Sequence, residues 1–74
     1  MTLDDARNLW CLMRPIDGIR FSYNDFVHIK SGDYAGNDAN VISLDSIEPI
    51  AYLVELDGAR GGDVVIAETD LEMN

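Results

Sequence analysis

The stretch from Phe26 to Leu44, FVHIKSGDYAGNDANVISL, sets the tightest limit on what this chain can fold into. Val27 and Ile29 alternate with polar neighbours, Gly32 and Gly36 bracket a tight connection, and Val41, Ile42 and Leu44 resume the apolar pattern. Period-two alternation on either side of turn residues predicts a strand over 26–30, a glycine turn and a second strand over 39–44. The same rhythm runs on both sides of this unit. Ile19, Phe21 and Tyr23 alternate and predict a strand over 19–23, set off by the turn signals Asp17-Gly18 and Asn24-Asp25. Ile50 to Leu56 reads as a strand with Tyr52, Val54 and Leu56 on one face and Ala51, Leu53 and Glu55 on the other. The polar run Asp45 to Pro49 is read as the connection into it, with Pro49 at the strand entrance. After a glycine-rich loop, Asp57 to Asp63, Val64 to Ala67 predicts the last full strand, and Thr69 to Glu72 a turn that packs Leu71 onto the core. Four or five short, regularly spaced strands predict a mainly β fold, a small barrel.

The first fifteen residues break the pattern. In TLDDARNLWCLMR, residues 2–14, Leu3, Ala6, Trp10 and Met13 follow helical spacing, and Leu9 and Leu12 widen the stripe. Thr2 with Asp5 three positions later forms a capping-box-like start, Asp4 and Asp5 suit the positive end of the helix dipole, and Arg14 suits the other end. Pro15 stops the helix. The competing reading, an edge strand from Leu9 to Met13, stays open because Trp-Cys-Leu-Met fits a strand nearly as well.

At 74 residues the chain is long enough for one domain, near the lower size at which a core forms without staples. No apolar run approaches the roughly 20 residues that span a bilayer, and the acidic Met1-Thr-Leu-Asp-Asp start is unlike a secretion signal. A cytoplasmic protein is expected. Cys11 is the single cysteine, so neither an internal disulfide nor a cysteine-based metal site is expected, and a small apolar packing residue is the plain reading. Charge says more. Fourteen acids against five bases give −9, and the imbalance is uneven. Asp4, Asp5 and Asp17 are matched by Arg7, Arg14 and Arg20, so the whole excess falls on residues 21–74, where only Lys30 and Arg60 are basic. Such a surface repels phosphate backbones and attracts a basic partner. Solubility alone also accounts for acidity of this kind.

No pattern argues for an enzyme. His28 is the single histidine, and Ser22, Ser31, Ser43 and Ser46 have no second base or orienting group to make a triad. Alternation places His28 beside Phe26 and Lys30 on the outer face, as a solvated imidazole. Asp33 and Asp38 flank the glycine turn, but the oxygen-ligand order of a calcium loop is missing, and the sequence carries no H-x-x-x-H or C-x-x-C. The run from Gly58 to Gly62 lacks the spacing and following helix of a phosphate-binding loop. No cofactor and no metal are expected.

The spacing Val27-x-Ile29-x-x-Gly32-x-x-x-Gly36-x-x-Ala39-x-Val41, preceded by Phe21 and Asp25, resembles the KOW motif of small SH3-like β-barrels in bacterial transcription elongation factors and large-subunit ribosomal proteins. The resemblance extends from about Phe21 to Leu71, with Val54 to Leu56 and Leu71 where such barrels place their last strands. It implies an SH3-like barrel of four to five strands with a short N-terminal helix. The whole of residues 1–74 is then one KOW-like domain, with residues 1–15 a helical cap and Gly32 and Gly36 its structural turn. It also implies a binding module without chemistry of its own. Two positions depart from the family pattern: Ala39 stands where the motif commonly has Gly, and Asn37-Asp38 where RNA-binding relatives carry Lys or Arg.

Two classes of function follow. The first is an acidic protein-interaction module with a basic protein partner, one version being an immunity-type protein that occupies the phosphate-binding cleft of a toxin such as a nuclease. Its candidate contact residues lie in two loops, Asp33, Tyr34, Asn37 and Asp38 in one and Asp57, Arg60 and Asp63 in the other, because loops of small barrels carry recognition. Trp10 joins them if Leu3, Trp10 and Met13 form a docking face rather than a cap. The second class, implied by the resemblance, is an RNA-, ribosome- or transcription-associated module relying on Lys30, Tyr34 or Arg60, with Tyr34 able to stack on a base. Charge counts against it. A subunit accompanying a larger enzyme is a third reading. No feature fixes the oligomeric state.

Overall fold

The computed structural model describes residues 1–58 and 61–74. Among these the chain forms a helix α1 (Leu3–Cys11), strands β1 (Phe26–Ile29), β2 (Asp38–Ile47), β3 (Ile50–Leu56) and β4 (Asp63–Ala67), a 3-10 turn (Glu68–Asp70) and β5 (Leu71–Met73). All five strands belong to one sheet in the order β4-β3-β2-β1-β5, every pairing antiparallel. The strands β1 to β4 form a meander, and the 3-10 turn carries the chain back so that β5 pairs with β1. The result is a small, mainly β fold built on one five-stranded antiparallel sheet, with one short N-terminal helix.

The helix starts where the capping signal places it: Thr2 is the N-cap and its hydroxyl accepts from the Asp5 amide at 3.1 Å. It ends three residues earlier than the sequence predicts. Met13 adopts φ 57°, with its amide donating to Trp10 O at 3.0 Å and that of Arg14 to Leu9 O at 2.9 Å. That hydrogen-bond pair is a Schellman closure, here with Met13 in the left-handed position usually held by glycine. The helix is therefore finished before Pro15 is reached. Ala6 and Trp10 form its buried stripe, and Arg7 reaches the carbonyl of Leu44 in β2 through Nε at 2.8 Å. Residues 9–13 are helix and cap, so the edge-strand alternative is excluded.

The strand expected over 19–23 does not form. Phe21 enters the core at 2 % exposure, but Tyr23 is 61 % exposed, and the backbone finds side chains instead of a ladder. The Phe21 amide donates to the Tyr52 hydroxyl at 3.3 Å, its carbonyl accepts from Trp10 Nε1 at 2.8 Å, and the Arg20 amide donates to Glu68 Oε2 at 3.3 Å. Alternation reported the burial of Phe21 correctly but could not reveal partners supplied from 11 to 48 residues away.

A second correction concerns residues 45–49, expected as a polar connection. β2 runs on to Ile47, with register shifts between Val41 and Ser43 and between Leu44 and Ser46. Such bulges let one strand bend so that it serves both halves of a barrel. They also break the period-two signal, and for that reason Asp45 and Ser46 read as loop. Around the interior, Val27, Ile29, Ala39, Val41, Leu44, Tyr52, Val54 and Leu71 are wholly buried. Leu71 reaches the core as expected, though it opens β5 rather than sitting in a turn.

Tyr52 is the largest of these buried side chains, and its hydroxyl donates to Glu68. Burial first, and then this hydrogen bond, push its phenol well above the ordinary tyrosine range. A group whose folded pKa is raised contributes stability that is present below its unfolded value, about pH 10, and is lost as pH rises beyond it. Wild type is expected to unfold in an alkaline step that the Tyr52→Phe protein lacks. Following phenolate absorbance and circular dichroism together checks this, since the Tyr52 signal should appear only with loss of structure.

Candidate interaction face

Strand register decides which charges become neighbours. On β1 the side chains of Val27 and Ile29 point inward, which leaves Phe26 and His28 outward. His28 lies opposite Asp38 of β2 and opposite Glu72 of β5, so Glu72, His28 and Asp38 form a row across three strands. The next row runs Phe26, Asn40, Glu55, Asp63 across β1, β2, β3 and β4. Directly opposed side chains on one face sit about 5 Å apart at Cβ. The outer surface therefore sets Asp38 and Glu72 on either side of His28, with Glu55 and Asp63 in the neighbouring row on β3 and β4.

His28 Nδ1 donates to Asp38 Oδ1 at 2.9 Å, and Asn74 Nδ2 donates to the same oxygen at 3.1 Å. These hydrogen bonds, that from His28 foremost, hold the Asp38 carboxyl below the usual carboxylate range. Glu55 and Asp63, by contrast, face each other as like charges across the β3–β4 pair, and both are exposed. Such a pair opposes folding. Asp63→Lys, which turns repulsion into attraction, is expected to stabilise the isolated protein by roughly 0.2–1 kcal/mol. Chemical denaturation of the two proteins side by side measures it; a loss of stability would mean that the carboxylate serves the fold.

The two loops predicted to carry recognition meet at one point. The Asp57 amide donates to the Asp38 carbonyl at 2.8 Å, which extends the β2–β3 ladder into both loops and joins Asp57 to the acidic rows. Beside it, Glu55, Leu56, Asp57, Gly58, Gly61, Gly62 and Asp63 line a shallow depression. Asp33 and Tyr34 are held elsewhere. Gly32 and Gly36 adopt φ 90° and 94°, a left-handed conformation that admits glycine without strain. Ser31 Oγ fastens this turn to Asp70 of the 3-10 turn at 2.5 Å. Tyr34 is 40 % exposed at the tip, so it does not cover the core. Asn37 works inside the turn: its side chain donates to Tyr34 O and its carbonyl accepts from Ile29, both at 2.8 Å. Arg60 lies outside the described residues.

Trp10 is 5 % exposed with its indole nitrogen bonded to Phe21 O, so it caps the core rather than joining a docking face; Leu3 packs beside it, while Met13 is 68 % exposed. Glu55, Glu72, Asn40 and His28 were not among the predicted contacts. Alternation puts His28 on an outer face and sets Glu55 on the face opposite Tyr52 and Val54, but only register shows which residues of different strands stand together.

No protein-family model matches the chain, and neither a curated protein nor a solved structure does. Among the described residues no helix is long and apolar enough to cross a membrane.

Proposed function

We propose that this chain is a small acidic interaction module without catalytic activity, and that it binds a basic protein through the face formed by Asp38, Glu55, Asp57, Asp63 and Glu72. The observation that carries the reading is the opposed pair Glu55 and Asp63, flanked by further acids at the same end of the barrel. Like charges set against each other weaken the free protein and are relieved when a cation comes between them. An even scatter of surface charge chosen for solubility has no need of such opposition. The immunity-type version gives this face a nuclease or similar basic toxin as its target. As a KOW-like barrel, the module recognises its partner through strand faces and loops rather than through an enclosed pocket.

The alternative is an RNA-, ribosome- or transcription-associated KOW-like module. The exposure of Tyr34 favours it, since an aromatic at a turn tip offers a stacking platform. The acidic rows oppose it, because a phosphate backbone approaching them would meet carboxylates. The reading as an accessory subunit loses its intended anchor with the burial of Trp10.

Affinity capture from a lysate of the protein's own host, with and without nuclease, separates these readings. A basic protein retained after nuclease at low salt, and released as salt rises, is the expected result. Retention only of components that vanish with nuclease would transfer the assignment to the RNA-associated module.

A further inference from the structure

The sheet has two free edges, and they differ. β5 is three residues long, whereas β4 offers the five residues Asp63-Val-Val-Ile-Ala67. The direction of the β4 backbone groups follows from one hydrogen bond: the Leu56 amide donates to Gly62 O at 2.9 Å. Leu56 and Gly62 are thus a hydrogen-bonded pair, and with the register Glu55–Asp63, Val54–Val64, Leu53–Val65 and Tyr52–Ile66, every second residue repeats that geometry. Val64 and Ile66 direct their N–H and C=O groups to β3. Asp63 and Val65 direct theirs away from the sheet, and no turn or loop hydrogen bond among the described residues engages them, whereas the Ala67 carbonyl opens the 3-10 turn.

Edge strands of soluble proteins usually carry a lysine, a proline or a bulge that discourages pairing. β4 has none of these: its four residues after Asp63 are apolar, its register against β3 is unbroken, and Val65 is 51 % exposed. We infer that β4 is a docking edge for an extended basic segment of the partner protein, which adds to the sheet as a sixth strand. The identity of the occupant rests on the functional reading above; the edge itself does not. Residues of an added strand that bond to Asp63 and Val65 place their side chains on the same outer face as Asp63 and Glu55. Lysine or arginine at those positions therefore lies beside the opposed carboxylates. A second copy of this chain fits the edge less well, since it brings a further −9 to a surface already negative.

The test uses a synthetic peptide alternating lysine and valine, and the same peptide N-methylated at each lysine amide. The methylated peptide keeps every charge and side chain but loses the N–H groups that would face β4. Wild-type protein is expected to bind the plain peptide at low salt and the methylated one at least about tenfold more weakly, the scale of a lost backbone hydrogen bond or more. Val65→Pro is expected to lower affinity for the plain peptide by a similar factor. Its missing N–H makes no bond within the protein, and proline is tolerated at edge positions. The methylated arm needs no variant and decides the matter even if Val65→Pro does not fold. Equal binding of both peptides overturns strand addition and leaves the acidic-face reading intact. Binding of neither peptide overturns both. Dimerisation of the free protein abolished by Val65→Pro overturns the basic segment as occupant in favour of a second copy.

Discussion

Trp10→Ala is expected to destabilise the protein by about 3–5 kcal/mol, the usual cost of truncating a large buried aromatic. In a domain of this size that is much of the total stability, which amounts to roughly 0.05–0.15 kcal/mol per residue. The indole joins three parts of the chain. It sits on the buried stripe of α1, it belongs to the same core cluster as Leu44 and Tyr52, and its Nε1 holds the carbonyl of Phe21 at 2.8 Å. Its loss leaves a cavity between helix and barrel and orphans a buried carbonyl. Thermal unfolding followed by circular dichroism checks the expectation. A single transition shifted far downward means that helix and barrel form one cooperative unit; a near-wild-type transition would mean that α1 is dispensable.

Glu68→Ala is expected to cost about 1–3 kcal/mol, more than a surface ion pair explains. The Arg20–Glu68 contact at 3.0 Å is largely solvated on the arginine side, where 56 % of the side chain is exposed, and contributes little alone. The larger effect comes from Tyr52. Its ring is wholly buried against Phe21, 5.5 Å between centroids in an edge-on arrangement, and its hydroxyl depends on the Glu68 carboxylate as acceptor. Without Glu68 that donor is left buried and unmatched, and the Arg20 amide loses its acceptor as well. A double-mutant cycle with Tyr52→Phe isolates the effect: once the hydroxyl is gone, removing Glu68 should cost markedly less. Additive losses would show that Glu68 acts through Arg20 alone.

These contacts mark where the sequence ceases to be legible. The helix start could be read from Thr2 and Asp5 because a cap is a local device, closed within three residues. β1 could be read because its alternation is unbroken, and β3 because its apolar run is nearly continuous. The helix end could not, since Met13 occupies a position where glycine is the usual signal. β2 was shortened by its own bulges, and 19–23 was read as a strand because burial of Phe21 imitates strand periodicity. At Phe21 contacts distant in sequence overruled the local pattern. The acidic face lies between these cases. Its total charge is plain from composition, and the loop residues Asp38, Asp57 and Asp63 could be named. That Glu55 stands opposite Asp63, and His28 between Asp38 and Glu72, depends on register, which no single strand encodes.

The most direct test of the acidic-module account is the salt dependence of association with the basic protein retained after nuclease treatment. Wild type is compared with a variant carrying Asp38→Asn, Glu55→Gln, Asp57→Asn and Asp63→Asn. The account predicts tight association of wild type that weakens steeply as salt rises, and weak association of the variant with a nearly flat salt profile. Equal affinity and equal salt dependence for the two proteins would contradict it and leave the acidity of the barrel a matter of solubility.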